Sequence, residues 1–552
     1  MSQPADEAQP EIPKPLPAPL RDEAGVHIKE TIESILVAFI LAFIFRCFVV
    51  EPFVIPTGSM APTLLGAHTR HRCPECGYTF DVDYRPPSNG IDDEPETPSY
   101  AGPLLRNGHL INTEYDSIRC PNCGYLLPPQ INPPVHFGDR VVVLKYAELL
   151  EKLKRWDVVV FKTPYDPEHP EHRFEWNFIK RLVGLPGETV MVLDGGLYVK
   201  SPGSDQFIVQ TKTPEAQEAL WRIIYDDDYR PLNVAPRTVP WVQPWQMTSG
   251  AGWSDHLPSS RSGFSFENAT GTGTLTFNSS AGRTNNAEFK DYLAYDQRPT
   301  PNAQGYDGDC IVSDLKLDLY YDRKQGEGPL RLLLSKLDDR FIAEILPNRV
   351  LLHHEYNGRE IGTPQAVEIQ PPTSGPHHFQ FSNVDYRVTL RMDGRVLLQT
   401  TPQQYHPDID QLKHRLHTRA IGPLPEVRIF ADHQTCQLTH LSLWRDIYYT
   451  QNDGGSSAII YGAPEEGRGD TGPVQLGPGE YFVLGDNSPM SGDARFFTQP
   501  VNLPNEWLYA EGGRVPERLM LGRAFFVYWP AGFRPAGLPG LIPNFGEMRF
   551  IR

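Results

Sequence analysis

The chain has 552 residues, a formal net charge of −17, 46 glycines and 54 prolines. That length suits two to four structural units, and the composition favours turn-rich β structure over helical bundles. The acidic balance, with no cluster of Lys and Arg, argues against nucleic acid as a partner. Seven cysteines are too few for a disulfide framework at this size, and four of them form two Cys-x-x-Cys pairs, which points first to a metal.

Residues 1–30 are rich in Pro, Ala and Glu without apolar periodicity, and read as a tail that does not fold. Residues 31–50 read as one transmembrane helix. The core from Ile35 to Phe45 is uninterrupted but shorter than the roughly 20 residues that a span prefers, and Arg46 near the end extends it by snorkelling. A cleaved signal peptide is the competing reading; no small-x-small site follows, and Phe48-Val-Val-Glu-Pro-Phe53 stands there instead. Arg21 and Lys29 give only a slight cationic excess on the tail side.

Residues 51–70 begin the next unit with Val50-Glu-Pro-Phe-Val-Ile-Pro-Thr-Gly-Ser-Met-Ala-Pro-Thr-Leu64. Prolines and a glycine fix the backbone around the Ser59 hydroxyl, although a plain linker reading fits the local chemistry as well. Residues 71–134 carry Cys73-Pro-Glu-Cys76-Gly77 and Cys120-Pro-Asn-Cys123-Gly124. Each is a tight knuckle that aims two sulfurs at one ion, so the pair predicts a zinc-ribbon-like insertion with a structural four-cysteine zinc. Disulfides or loose thiols are the alternative.

Residues 135–200 return to strands at Asp139–Lys145, Asp157–Phe161, Phe178–Val183 and Thr189–Leu193. In Asn177-Phe-Ile-Lys-Arg-Leu-Val-Gly184 a lysine stands among apolar residues. A buried Lys180 would lose hydration, favour its neutral form and accept a proton from a serine, whereas an outward-pointing Lys180 or Arg181 would do nothing of the kind. Residues 201–465 contain strands at Asp314–Tyr320, Arg340–Ile345, Tyr386–Arg391, Arg395–Gln399, Val427–Phe430 and Leu438–Trp444, the pattern of a jelly-roll β-sandwich. It is similar to the concanavalin A-like, lectin-type sandwiches, and reads as an interaction or spacer module whose ligand is unknown. His353-His354 and His377-His378 read as surface residues, and Cys310 and Cys436 as a pair or as buried thiols. Residues 466–552 return to the first β unit with Gly479–Leu484, Gly485-Asp-Asn-Ser-Pro-Met-Ser-Gly-Asp-Ala-Arg495 and the late strand Ala524–Trp529.

The serine, lysine and Gly-Asp-Asn stretches, in this order behind one apolar segment, resemble type I signal peptidases, membrane-bound serine proteases that remove signal peptides from exported proteins. The resemblance covers well under half of the chain. It implies a mainly β fold with a coiled catalytic unit behind one N-terminal transmembrane helix, into which the ribbon-like module and the sandwich are inserted. It places the tail in the cytoplasm and the serine just across the cell membrane.

Residue by residue, the resemblance makes Ser59 the nucleophile and Lys180 the general base, with Ser491 hydrogen-bonded to the lysine amine. The Ser59 N–H and the Thr57 hydroxyl become the oxyanion donors, Asp493 and Arg495 a supporting ion pair, and Asp486 and Asn487 structural. Phe53, Ile55, Pro56, Leu64 and Ile179 match the apolar substrate wall that selects Ala-x-Ala. Catalysis then needs no cofactor; the partners are exported preproteins, the lipid bilayer and translocation machinery. Ala494 stands where a serine is usual, and Pro489-Met490 replace polar residues. A self-cleaving Ser/Lys protease similar to the SOS-response repressors, and a membrane-anchored binding protein with a disused peptidase core, are the competing readings.

Overall fold

A computed structural model describes residues 23–48, 50–84, 105–106, 109–110, 114–115, 118–128, 130–131, 135–145, 152–164, 176–231, 240–249, 252–255, 263–279, 288–297, 310–370, 375–418, 422–449, 473–497, 513–530 and 544–551. The expected tail, up to residue 22, lies outside these. The chain divides into two compact units, Met1–Glu51 and Pro52–Arg552.

In the first unit the apolar segment expected over 31–50 is helical and starts earlier, at Glu23, running to Phe48. The expectation of a span needs a correction. Among the described residues no helix is long and apolar enough to cross a membrane. Side chains are described only from Lys29 to Leu41, a stretch that opens with Lys29, Glu30 and Glu33. Ile35, Leu36, Phe39 and Leu41 on it are each at least half exposed.

The second unit is mainly β. Its first sheet takes strands from distant parts of the sequence, in the order Val50–Val54, Arg140–Lys145, Met520–Trp529, Val158–Lys162, Asn177–Gly184, Glu480–Leu484, Val515–Pro516, with Arg549–Phe550 added beside Met520–Trp529. Short β-branched runs make these strands, and two apolar clusters cover the sheet. One contains Ile55, Met60, Leu64, Val141, Val158 and Ile179. The other contains Trp156, Val159, Phe161, Leu182 and Phe482. A smaller sheet orders Ile208–Val209, Gly196–Lys200, Thr189–Leu193 and Val474–Gln475. Asn177–Gly184 is an interior strand with Val159 opposite Lys180 and Leu484 opposite Arg181. Because both faces of such a strand are covered, consecutive residues are buried in place of an in–out alternation.

Between Gly196–Lys200 and the Gly-Asp-Asn turn, a 14-stranded sheet closes over the largest apolar core. Its spine is Val427–Arg445, 19 residues long, where the sequence suggested two strands ending at Phe430 and starting at Leu438. Polar residues in Ala431–Gln437 hide the continuity. Partners on both sides, Phe264–Phe277 and Leu315–Gln325 among them, carry the pairing through that stretch. The hairpin at Asp393-Gly394 forms as expected between Arg387–Met392 and Arg395–Gln399, with positive φ of 48° and 79° at the two turn residues. His353, His354, His377 and His378 lie on strands, each against a carboxylate of Glu360, Asp339, Asp393 or Asp318 respectively. Cys436 is a buried free thiol, and Cys310 is half-buried.

The cysteine knuckles sit beside a three-stranded sheet of Thr79–Asp83, His68–Arg72 and Val135–His136. Asn122 of the second knuckle accepts from Asp226 N at 2.7 Å and donates to Asp226 O and Tyr229 O at 3.1 and 2.8 Å. Arg119 and Gln297 exchange a further pair of bonds, at 2.7 and 2.9 Å. The knuckles are thereby fastened to the segment that carries the large sheet.

Candidate active site

Ser59 is the central residue of a 3₁₀ turn, Gly58–Met60, that follows the strand Val50–Val54. The start of the next strand ties the loop at both ends, with Ile55 N donating to Asp139 O at 2.9 Å and Asp139 N to Leu65 O at 2.8 Å. The Asp139 carboxylate accepts from Leu65 N at 3.1 Å and from Arg549 at 3.0 Å. A loop clamped in this way holds its tip with little freedom.

Lys180 Nζ and Ser59 Oγ are 2.7 Å apart, although 121 residues separate them in sequence. Both are buried, at 3% and 8% exposure. The amine also lies 5.1 Å from the centroid of the Phe178 ring. Consecutive charges on an interior strand need partners on opposite sides, and Arg181 finds Asp486, with Nε–Oδ1 and Nη2–Oδ2 contacts of 2.7 and 2.6 Å. Burial acts to lower the Arg181 pKa, and the adjoining Asp486 carboxylate outweighs it and raises the value above the usual one. The outward-pointing alternative for Lys180 and Arg181 does not hold.

The Gly-Asp-Asn turn braces this arrangement. Asp493 accepts from Gly485 N at 2.9 Å and from Arg495 Nε and Nη2 at 2.8 and 2.6 Å, and Arg495 reaches Ser488 Oγ at 2.8 Å. The expected supporting ion pair is therefore formed. Ser491 differs from expectation: its hydroxyl is buried without a hydrogen-bond partner, so the bond to the lysine amine is not made. It packs instead against Gly485, where a Cβ would come within 2.0 Å of Ser491 Oγ.

Thr57 is exposed and its side chain makes no capping bond to the turn. Of the five residues expected to form the substrate wall, Ile55, Leu64 and Ile179 are core residues, at 2%, 0% and 8% exposure. They underlie the loop and do not line an open surface, because the strands on either side close over them. Phe53 is half-buried, Pro56 is exposed, and Val54, which the sequence did not single out, is 44% exposed.

Asn487 also went unassigned to any step, yet it touches the serine turn twice, through Nδ2 to Gly58 O at 3.1 Å and through N to Ser59 O at 3.0 Å. Its Nδ2 also donates to Asp296 Oδ1 at 2.7 Å. Asp296 and Tyr295 lie in a segment with no motif, and nothing in the sequence could have pointed to them.

The four knuckle thiols form a second, separate cluster. Cys73, Cys76, Cys120 and Cys123 place all four sulfurs within 4.8 Å of one another. The Cys73–Cys123 and Cys76–Cys120 separations are 3.7 and 3.6 Å. A tetrahedron built on zinc–sulfur bonds of about 2.3 Å has edges of about 3.8 Å, so the donor set and its spacing fit that ion. The knuckles share one shape. Gly77 N donates to Cys73 O and Gly124 N to Cys120 O at 2.9 and 3.0 Å, with φ of 78° and 68° at the glycines. That backbone region is costly for any residue with a Cβ.

A family model described as signal peptidase, peptidase S26, matches residues 28–72, 129–238 and 450–529, which carry the serine, lysine and Gly-Asp-Asn stretches. A signal peptidase I of Rickettsia typhi is 23% identical over 31% of this chain and 43% of its own length. One of Bacillus licheniformis is 29% identical over 19% of this chain and 50% of its own, and signal peptidase I V of Bacillus subtilis is 36% identical over 12% and 36%. The chain thus spans half or less of the length of each of these relatives. Among solved structures, a carbohydrate-binding module from Bacillus subtilis aligns with 37% of this chain and 99% of its own at 12% identity and a TM-score of 0.21. Over these matched segments the chain is similar to the S26 signal peptidases.

Proposed function

We propose that the chain is a membrane-anchored serine endopeptidase that removes signal peptides from exported preproteins through a Ser59–Lys180 dyad. The observation that carries this reading is the 2.7 Å contact between two buried groups brought together from a turn and a strand 121 residues apart. Lys180 acts as the neutral amine, a form that burial favours over the ammonium. It takes the Ser59 proton as Oγ attacks the scissile carbonyl, and gives it to the departing amine. Lys180 then activates water to release the acyl group. The Ser59 N–H and the exposed Thr57 hydroxyl receive the oxyanion. Asp493 and Arg495 support the Gly485 backbone, and Ser491, lacking a bond to the lysine, is given no proton-transfer step.

Substrate enters along Phe53, Val54 and Pro56, above the packed floor of Ile55, Leu64 and Ile179. Such a floor leaves room for small side chains and selects Ala-x-Ala sequences. The exposed apolar side chains of the helix Glu23–Phe48, Ile35, Leu36, Phe39 and Leu41 among them, are the surface through which the protein associates with the cell membrane. Cys73, Cys76, Cys120 and Cys123 would hold a structural zinc, which supplies cross-linking of the two knuckles and no catalytic chemistry.

The test is cleavage of a detergent-solubilised preprotein with an Ala-x-Ala site by the native chain, Ser59→Ala and Lys180→Met. Only the native chain should yield product, with each variant at least ~10³-fold slower. An inert native chain, tried on several preproteins, would leave the anchored binding protein as the better reading. Normal cutting by Lys180→Met would exclude the dyad.

A further inference from the structure

We infer that Tyr295 and Asp296, brought in by the long segment between the lysine strand and the Gly-Asp-Asn turn, are positioning residues for the nucleophile, acting through Asn487 on the peptide group that joins Gly58 to Ser59. This rests on the proposed peptidase activity for its catalytic consequence and on geometry alone for the positioning itself.

A peptide group is planar, so its carbonyl and its N–H point in fixed opposite directions. Gly58 O and the Ser59 N–H belong to one such group. Gly58 O accepts from Asn487 Nδ2 at 3.1 Å and from Ala61 N at 2.9 Å. Holding that oxygen fixes the direction of the Ser59 N–H, which is the proposed oxyanion donor. Asn487 is itself oriented from two sides. Its backbone N donates to Ser59 O at 3.0 Å, and its amide spans the 2.7 Å to Asp296 Oδ1. Asp296 is buried, at 4% exposure, so its contact with Asn487 is not shared with bulk water.

Tyr295 supplies the steric half of the device. A Cβ on Gly58 would lie 2.2 Å from Tyr295 Cε1, which places the aromatic ring directly against the glycine. The ring belongs to a small buried cluster with Ala61 and Leu65, which follow the serine in the chain. The turn therefore cannot swing toward Tyr295, and Asn487 prevents the peptide from flipping away. The long inserted segment is by this account part of the catalytic centre and more than a spacer.

The experiment compares the native chain with Asp296→Ala, Asp296→Asn, Asn487→Ala, Tyr295→Ala and Tyr295→Phe, all as full-length protein in detergent. Two readouts are taken, preprotein cleavage resolved into kcat and KM, and hydrogen–deuterium exchange of the peptide covering residues 57–61. Loss of alignment of one oxyanion donor should lower kcat by about 10–10²-fold for Asp296→Ala and Asn487→Ala, less than the 10²–10³ of full donor removal, with KM within about threefold. Their double variant should be no slower than the slower single one, because both act on one peptide plane. Asp296→Asn, which keeps an acceptor oxygen, and Tyr295→Phe, which keeps the ring, should retain most of the activity. Exchange over residues 57–61 should quicken at least about tenfold in the two damaging alanine variants while the melting temperature stays near the native value.

Unchanged kcat and unchanged exchange in folded Asp296→Ala would overturn the inference. So would a loss that falls in KM alone, or one that tracks the melting temperature. If the native chain cleaves no preprotein, the peptidase reading fails, and the exchange result still decides whether Asp296 holds the turn.

Discussion

Gly485 shows how little room surrounds the dyad. A Cβ there would lie 2.0 Å from Ser491 Oγ and 2.6 Å from Ser59 O, and the second of these is backbone that cannot rotate away. Gly485→Ala should therefore push the serine turn from Lys180 and reduce preprotein cleavage by at least ~10²-fold, since an ångström of misplacement costs that much. A kcat near native in a folded Gly485→Ala would show that the turn has slack. The Arg181–Asp486 pair, fully buried on both sides, tests the support beneath the lysine strand. Removing the carboxylate alone in Asp486→Ala leaves a buried guanidinium without its partner and should cost about 3–5 kcal/mol in denaturant unfolding. The double replacement Arg181→Met with Asp486→Leu should recover most of that loss, because apolar packing replaces both charges. A double variant as unstable as the single one would refute this account. At this scale Ser59 and Lys180 were legible only through the resemblance of their stretches to the signal peptidases, since a linker serine and an outward-pointing lysine fit the local chemistry as well. The sequence could not reveal that Ser491 would miss the lysine, because side-chain rotation leaves no trace in a motif. Nor could it pair Asn487 with Asp296 across 191 positions.

Elements were legible where their period was regular. Asn177–Gly184 was visible as a strand, but the burial of both Lys180 and Arg181 required knowing that neighbours would cover both faces. Val427–Arg445 was read as two strands because polar residues interrupt its middle, and only partners on both edges make it one. The cysteine knuckles were legible down to the glycine that each turn requires. The small sheet next to them carries a pH dependence that no pattern announced. His136 stacks on His68 at 5.4 Å, and burial, reinforced by His68 and Arg70, pushes the His136 pKa down to about 4 from its usual 6.5. A depressed histidine pKa leaves the fold unpenalised above pH 6.5. As pH falls toward 4 the unfolded chain binds a proton that the folded one refuses, so stability is lost in that window. The expected loss approaches about 3 kcal/mol, from about 1.4 kcal/mol per pKa unit. His136→Gln should abolish this part of the acid sensitivity, seen as a flatter dependence of the unfolding midpoint between pH 6.5 and about 4.5. Parallel profiles for the two proteins would assign the acid response to other groups.

Across the second unit, a path of contacts joins the four-cysteine cluster to the serine, and with the proposed zinc and peptidase activity it predicts that occupancy of the cluster affects the rate. The second knuckle pins residues 226 and 229 through Asn122, and Arg119 beside it exchanges two bonds with Gln297. Gln297 directly follows the Ala294–Asp296 turn, whose Tyr295 and Asp296 confine the Gly58–Ser59 peptide. If the cluster holds the proposed zinc, its removal would leave four thiols without metal–sulfur bonds, so the knuckles would loosen first. The loosening would then reach Gln297 and relax the turn against the serine. The native chain should contain about one zinc per molecule by elemental analysis, and Cys73→Ser with Cys120→Ser should contain none. The metal-free protein should cleave preprotein several-fold to ~10²-fold more slowly, and exchange at residues 57–61 should quicken as it does in Asp296→Ala. Because both perturbations converge on one peptide plane, adding Asp296→Ala to the cysteine variant should slow it little further. Full, independent losses on combination would show that the ribbon acts on the rate by some other route, and a metal-free chain with native kcat would show that it does not act on the rate at all.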